Sequence, residues 1–344
     1  MIRRGLLPTL VLALFTAAHV AAAAPDGPRL ALVEFGSKPD RLVLNSVDQD
    51  GGRPLRIAGG GKRARPLPMY FDAPSWSGDG GSIAFSGIGG KLAGSRGFVI
   101  EGTQIYVVGA DGAGLRPVPG TTEGLGPVFS PDGRTIAFTR IRERKRTTRR
   151  EGERVVYRSW SVWVVDVAGG GSTRLTPWRN GLLMIASSFS PDGSTLAVSR
   201  RKSEGAEPEV IAMPLDGGAA AVIARHASDG VYSPDGTRLA FLQVDRLGDS
   251  DLFTIGADGT DRRRLTSTPR GLEVWPSWDP SGQRLVVTRV SAEEERGFFG
   301  LGNAVIEMNA DGSCRTTILR DRDIAFFGAT WQPGPGREAG PIAC

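Results

Sequence analysis

Between Arg140 and Arg158 the chain reads RIRERKRTTRREGERVVYR, in which nine residues are Lys or Arg and three are Glu. The excess of six positive charges is larger than the formal +5 of the whole chain, so the remainder is close to neutral. A patch this concentrated attracts anions: an acidic protein, or an anionic cell-envelope component such as a wall polymer or lipid headgroup. Arg142, Arg144, Lys145, Arg146, Arg149 and Arg150 are the candidate binding residues, and Lys62, Arg63 and Arg65 add to them from another loop. The same run also suits a solvated hairpin whose arginines pair with its own glutamates. Nucleic acid is not expected as a partner, because aromatic residues for base stacking are sparse in the run. A second candidate contact is SAEEERGFFGLG, where Phe298 and Phe299 follow three acids. It offers either an apolar partner contact or a lid folded over the body's edge.

Catalytic chemistry is restricted by the histidines. There are two, His19 and His226. One imidazole outside the leader is too few for a His-based zinc site, and no G-x-S-x-G elbow accompanies it. Carboxylates remain. Asp72, Glu123, Asp229 and Glu273 each precede an aromatic strand, and two such acids at a channel mouth would suffice for a hydrolase or lyase acting on a carbohydrate or lactone. Loop starts are acid-rich in any case, so these four also read as ordinary turn residues. The Asp-Gly turns at Asp111, Asp258 and Asp311 lack the ligand spacing of a calcium loop. No metal and no cofactor are expected.

The elements that must position these residues repeat. FSPDGRTIAFTR (129–140), FSPDGSTLAVSR (189–200) and YSPDGTRLAFLQ (232–243) are near-copies, with weaker relatives SWSGDGGSIAFSG (75–87), SWDPSGQRLVVTR (277–289) and TWQPG (330–334). The aromatic before the turn recurs at Trp76, Phe129, Phe189, Tyr232, Trp278 and Trp331, at intervals of 43 to 60 residues. The shortest interval matches a four-stranded propeller blade. Pro presets φ at the second turn position and Gly tolerates positive φ at the fourth, so S-P-D-G joins two strands. In the second strand large and small residues alternate, as Ile136, Ala137 and Phe138 do. A second hairpin follows with Asp-Gly or Gly-Gly at its tip, as in IYVVGADGAGLRPV (105–118).

These features predict an all-β, six-bladed β-propeller with four antiparallel strands per blade. One blade is split. Arg29–Phe35 supplies its second strand, Arg41–Ile57 its third and fourth, and Thr330–Gln332 its first, so N- and C-terminal strands share a blade and close the ring. Short A–B and C–D turns then lie on one face, and the long, variable B–C loops, including 140–159, on the other.

The S-P-D-G-x-x-[IL]-A-F and [IV]-x-x-x-x-A-D-G pair resembles the WD40-like repeat of TolB-type six-bladed β-propellers, over about 29–335. The resemblance implies a protein-binding role in the periplasm, as in TolB, or a gate, as in the propellers of prolyl-oligopeptidase-type peptidases. TolB carries a further domain before its propeller, and here only a few residues separate the leader from the first strand. No hydrolase sequence follows the repeats.

The leader itself, 1–24, has Arg3 and Arg4, an apolar stretch from Leu6 to Val20 and small residues Ala21–Ala24, the pattern of a secretory signal peptide. The expected organisation is therefore a signal peptide at 1–24, a propeller at 25–335 and a tail at 336–344. A secreted or periplasmic monomer with no membrane span in the mature chain is expected. The two cysteines, Cys314 and Cys344, are expected to form a disulfide in an oxidising compartment, the alternative being two free thiols. The functional expectation is an exported, non-catalytic binding or scaffold protein that uses its variable loops to hold a protein or anionic cell-envelope partner. The carboxylate enzyme is the alternative.

Overall fold

Period-two alternation between Gly-rich turns leaves the backbone little choice but extended strands. In the computed structural model residues 29–36, 42–59, 67–68, 73–92, 98–147, 154–203, 205–244, 249–269, 271–291, 304–321, 324–334 and 340–344 are described, and all the regular elements among them are β-strands. The leader 1–24 lies outside the described residues.

The strands form antiparallel meanders of four. Gly124–Phe129, Thr135–Thr147, Arg154–Asp166 and Thr173–Arg174 make one sheet in chain order, and Leu183–Phe189, Thr195–Arg201, Glu209–Pro214 and Ala221–Arg225 the next. Two further meanders run from Ser228–Tyr232 to Arg263–Arg264 and from Gly271–Trp278 to Thr316–Arg320. A single parallel bridge, Ser250 to Leu272, links them. Ser75–Trp76, Ser82–Leu92, Phe98–Gly109 and Arg116–Pro117 form another, with Leu67–Pro68 added beside Ser82–Leu92. The remaining sheet joins both ends of the chain. Ile324–Trp331 pairs with Arg29–Gly36, which pairs with Leu42–Asp48 and then Leu55–Gly59. Leu30 faces Trp331 and Gly36 faces Ile324, the end-to-end pairing expected from the split repeat.

The S-P-D-G turns close by local chemistry. The Gly133 amide donates to the Ser130 carbonyl at 2.9 Å, with Gly133 at φ +68°. Ser130 Oγ donates to Asp132 Oδ1 at 2.6 Å and accepts from the Thr135 amide at 2.9 Å. The same arrangement recurs at Ser77/Asp79 and Ser233/Asp235. In the DPSG turn the roles are exchanged. Asp279 occupies the serine position, accepts from the Arg284 amide at 2.7 Å and is fully buried. At the chain ends, the Gln332 amide donates to the Arg29 carbonyl at 2.8 Å, so this closure spans two distant segments.

The alternation in the second strands builds the core. Ile136 and Phe138 pack with Ala84 of the preceding sheet, and Ala137 packs with Leu196 and Val198 of the following one. Ala197 meets Leu239 and Phe241, and Ala240 meets Leu285 and Val287. Val286 meets Leu30 and Leu32, and Ala31 meets Ile83 and Phe85. Large side chains on one face of a sheet thus fill the space left by small ones on the next.

Cys314 and Cys344 form the expected disulfide, which pins the tail beside the hairpin turn at 309–313. Asn309 and Ile342 exchange two hydrogen bonds there, at 3.1 and 2.7 Å.

Phe138→Ala should lower the unfolding free energy by about 3–5 kcal/mol, since it empties a site shared by two sheets. Ala137→Leu should cost about 1–3 kcal/mol by overfilling the opposite face. Urea titrations of both variants check this; a loss below about 0.5 kcal/mol for either would contradict the packing scheme. The turns also set an acid limit. The Ser77, Ser130, Ser190 and Ser233 hydroxyls hold the carboxyls of Asp79, Asp132, Asp192 and Asp235 below their ordinary range, Asp192 to about 2. Depressed folded-state values stabilise the fold above the unfolded carboxylate pKa of about 3.9 and lose that contribution as pH falls through the folded values. Melting temperature should therefore drop between about pH 4 and pH 2, and Asn substitution at the four aspartates should flatten that drop in thermal melts.

Candidate functional site

Two places in the fold gather candidate functional residues. The first is the pair of long second and third strands. Thr135–Thr147 and Arg154–Asp166 stay paired from Thr135/Asp166 to Thr147/Arg154, but the first strand of their sheet reaches only as far as Arg140. Residues 141–147 and 154–159 therefore continue as a two-stranded ribbon beyond the sheet. One sheet earlier Ser82–Leu92 and Phe98–Gly109 also run on past Ser75–Trp76, with Leu67–Pro68 paired alongside at Gly87–Ile88. The two-residue period of a strand puts positions 140, 142, 144 and 146 on one face of the ribbon and 143, 145 and 147 on the other. Arg142, Arg144 and Arg146 thus share a face, and Lys145 takes the opposite one. Arg142 is exposed.

Arg140 anchors the ribbon's base. Its guanidinium lies 4.2 Å from the Trp163 ring centroid and 5.3 Å from that of Phe138. It donates to the Thr122 carbonyl and Ser172 Oγ, each at 3.1 Å, and to the Gly120 carbonyl. Burial pushes its pKa down, against the pull of nearby Glu123. Its charge is committed to the sheet.

Arg149, Arg150, Lys62, Arg63, Arg65, Phe298, Phe299 and Asp72 lie outside the described residues. The other three acids are not brought together. Glu123 is exposed, at φ +60°. Glu273 is fully buried. It accepts from Thr266 Oγ1, from Thr268 Oγ1 at 2.9 Å and from Arg289 at 2.7 Å, and its amide donates to Ser250 Oγ at 2.7 Å. Those partners account for it as a structural carboxylate joining four strands and loops. His226 lies on the surface, 3.4 Å from Glu207.

Asp229 is different, because it lines a cavity of about 330 Å³. Six stretches of chain, the strands that carry the aromatic column, contribute to its wall: 73–76, 126–128, 185–188, 229–231, 275–277 and 330–333. Asp229 is the one carboxylate in that lining, and no Lys, Arg or His accompanies it among the described residues. The paired acids a glycosidase needs are therefore not assembled there by the described residues. Burial pushes the Asp229 carboxyl up, partly offset by Ser228 Oγ, which donates to Oδ2 at 2.9 Å.

The backbone at this wall is unusual. The cavity strands carry β-bulges, between Ser228 and Val231 and between Val274 and Ser277 for example. At three residues before the aromatic, Gly126, Asp229, Trp275 and Gly328 all have left-handed backbone, with φ from +53° to +59°. Glycine takes this conformation freely; Asp pays a penalty and Trp a larger one. Sequence reasoning placed Asp229 at a channel mouth but missed Trp275. The only available signal was its place in the same column as Gly126 and Gly328. Trp275 meets Phe327 edge-on at 5.7 Å. The indole N–H of Trp331, in the same lining, has no hydrogen-bond partner among the described residues, whereas those of Trp76 and Trp278 reach the carbonyls of Thr330 and Val231.

A larger cleft of about 560 Å³ lies between Leu175–Met184 and Met213–Ala220. Its two strand cations, Arg200 and Lys202, are held by Glu209 at 2.6 and 3.1 Å. Among the described residues no group of three or more His, Cys, Asp or Glu is placed to hold a metal, and no helix is long and apolar enough to cross a membrane.

No family model matches the chain. A Tol-Pal system protein TolB from an Anaeromyxobacter species is 34% identical over 122 residues, 35% of this chain and 27% of that protein. Another TolB, from Anaeromyxobacter dehalogenans, is 29% identical over 267 residues, covering 62% of this chain and 60% of its own length. The chain thus spans between about a quarter and three fifths of these curated relatives. The crystal structure of TolB from Acinetobacter baumannii superposes with a TM-score of 0.65 at 20% identity, over 89% of this chain and 66% of that one. With its four-stranded antiparallel meanders, the chain is a TolB-like β-propeller in fold.

Asp229→Asn should raise the melting temperature at pH 7. A folded-state pKa raised by burial means that the fold loses stability as pH rises through it, and the amide removes that loss. The gain should vanish below about pH 4, where the acid is protonated in both folded and unfolded chains. Thermal melts of both proteins at the two pH values decide it; equal melting at pH 7 would contradict the upward shift of the Asp229 carboxyl.

Proposed function

We propose that the protein is an exported, non-catalytic β-propeller that binds a protein partner through the projecting ends of its second and third strands, with the basic ribbon as the main contact. The observation that carries this reading is the ribbon itself: two strands continue past their sheet and set Arg142, Arg144 and Arg146 along one face. A rigid scaffold carrying long extensions at one end of its sheets is the usual way a fold presents a binding surface. The name of the TolB relatives, Tol-Pal system protein, fits a protein partner in the cell envelope. The leader at 1–24 supports export to the periplasm or beyond. An anionic envelope polymer is the other ligand that such a surface would take.

The scaffold in this proposal is six blades in a closed ring. The meanders supply four strands each, and the cavity lined by six stretches is its axis. The core contacts return to their start: Ala31, in the sheet that joins the chain ends, packs with Ile83 and Phe85 of the first meander. The residues 25–335 would form the propeller and 336–344 a tail tied down by Cys344.

Charge reversal tests the reading. The mature protein, immobilised, should retain an envelope partner that a variant with Arg144, Lys145, Arg146, Arg149 and Arg150 changed to Glu does not. Retention by the native protein should weaken as salt rises from about 0.1 M to 1 M, where the screening length shrinks from about 10 Å to about 3 Å. The same partner held equally by both proteins removes the ribbon as the site.

A further inference from the structure

The axial cavity combines features that the ribbon does not explain. Asp229 is a half-buried acid with one short partner, Ser228 Oγ, while its amide donates to Ser199 Oγ at 2.8 Å. The cavity wall around it is made of Ala, Val, Ile, Pro, Ser, Thr and three tryptophans, Trp76, Trp275 and Trp331. A carboxylate partly withdrawn from water and without a cationic neighbour is stabilised by taking up a proton or by a counter-charge. None of the described lining residues supplies that charge. The volume, about 330 Å³, is at the small end of ligand pockets.

Strain points the same way. At the column position where Gly126 and Gly328 stand, Asp229 and Trp275 hold left-handed backbone at φ +53° each. Two neighbouring meanders thus place, against conformational preference, a carboxylate and a large aromatic in one small cavity. Such outliers persist where the surroundings over-determine them and concentrate at ligand sites. β-bulges re-aim side chains, and both residues sit at one.

We infer that this cavity is a site for a small organic ammonium ion, with Asp229 as its counter-charge and Trp275 as the aromatic surface beside it. A cation over an indole face is attracted by the ring quadrupole, and the attraction grows when water is excluded. An ammonium headgroup also matches a wall that mixes hydroxyl and apolar side chains, because its methyl or methylene groups are compatible with Val231, Val128 and Ile185. A metal ion is a poorer match: calcium takes six to eight oxygens and the described lining offers a single carboxylate. The site is independent of the ribbon, so failure of either reading leaves the other standing.

The test uses choline and ethanolamine as probes, with 3,3-dimethylbutan-1-ol as the uncharged analogue of choline. Binding to the mature protein is measured by calorimetry and by tryptophan fluorescence. At least one of the amines should bind, and the uncharged analogue should bind at least about tenfold more weakly, a difference of about 1.4 kcal/mol. Asp229→Asn and Trp275→Gly should each weaken the amine by about tenfold or more. Thermal melts confirm that both variants fold, and the Gly variant takes the residue that the equivalent column positions already use. Three results overturn the inference: neither amine binding up to about 10 mM, the uncharged analogue binding as well as choline, or folded Asp229→Asn keeping the native affinity.

Discussion

Every sheet in this protein must cover two faces, and the alternation of large and small residues along the second strands is the constraint that makes this possible. A strand reading Ile-Ala-Phe gives its sheet one bulky face and one hollow face. Stacking such sheets fills each hollow with the neighbour's bulk, so Phe138 over Ala84 and Leu196 over Ala137 are the same contact made twice. Interiors pack at crystal-like density, so the pattern also fixes the distance between neighbouring sheets. The first strands, ahead of those tightly packed layers, are the ones left to line the cavity that holds Asp229. Their geometry is a by-product of the packing outside them, and their side chains are free to differ.

That freedom is where the two unusual residues stand. Turn serines and aspartates are bound by a repeated local network, and the second strands by volume. The bulged position of the first strands has neither constraint in common. Gly126 and Gly328 accept the left-handed backbone without cost, and a β-carbon at Gly328 would come within 2.3 Å of the Ala73 backbone. Asp229 and Trp275 occupy the same conformation with side chains. The fold tolerates them because the hydrogen bonds on both sides of each bulge are intact and the sheets behind are rigid.

Much of this architecture was legible because its signals are local. Ser130, Asp132 and Gly133 specify their turn within five residues, and the aromatic column follows from it. The pairing of Trp331 with Leu30 was legible by subtraction, since one unit lacked a first strand and the chain's other end held a spare. The sites were less legible. Glu273 looks like a loop acid in sequence, yet Thr266, Thr268, Ser250 and Arg289 converge on it from separate strands and loops. Arg140 counts as one more ribbon cation until the register places it diagonally across from Trp163, whose ring it covers. Trp275 reads as a strand aromatic, and only a positive φ, invisible in sequence, turns it toward a cavity.

The sheet shared by Arg29–Gly36 and Ile324–Trp331 has a consequence in time. The strand Arg29–Gly36 is made long before one of its two neighbours, Ile324–Trp331. Until Ile324–Trp331 arrives, one edge of Arg29–Gly36 is unpaired and Leu30 and Leu32 lack the indole of Trp331 that completes their cluster. Contacts this distant in sequence carry the largest loop-closure entropy and slow folding. The order of assembly is thereby set: meanders made of local hairpins can form as the chain lengthens, while the sheet holding both ends forms last. A molecule of this design remains incomplete, with an exposed strand edge, for as long as Ile324–Trp331 is withheld.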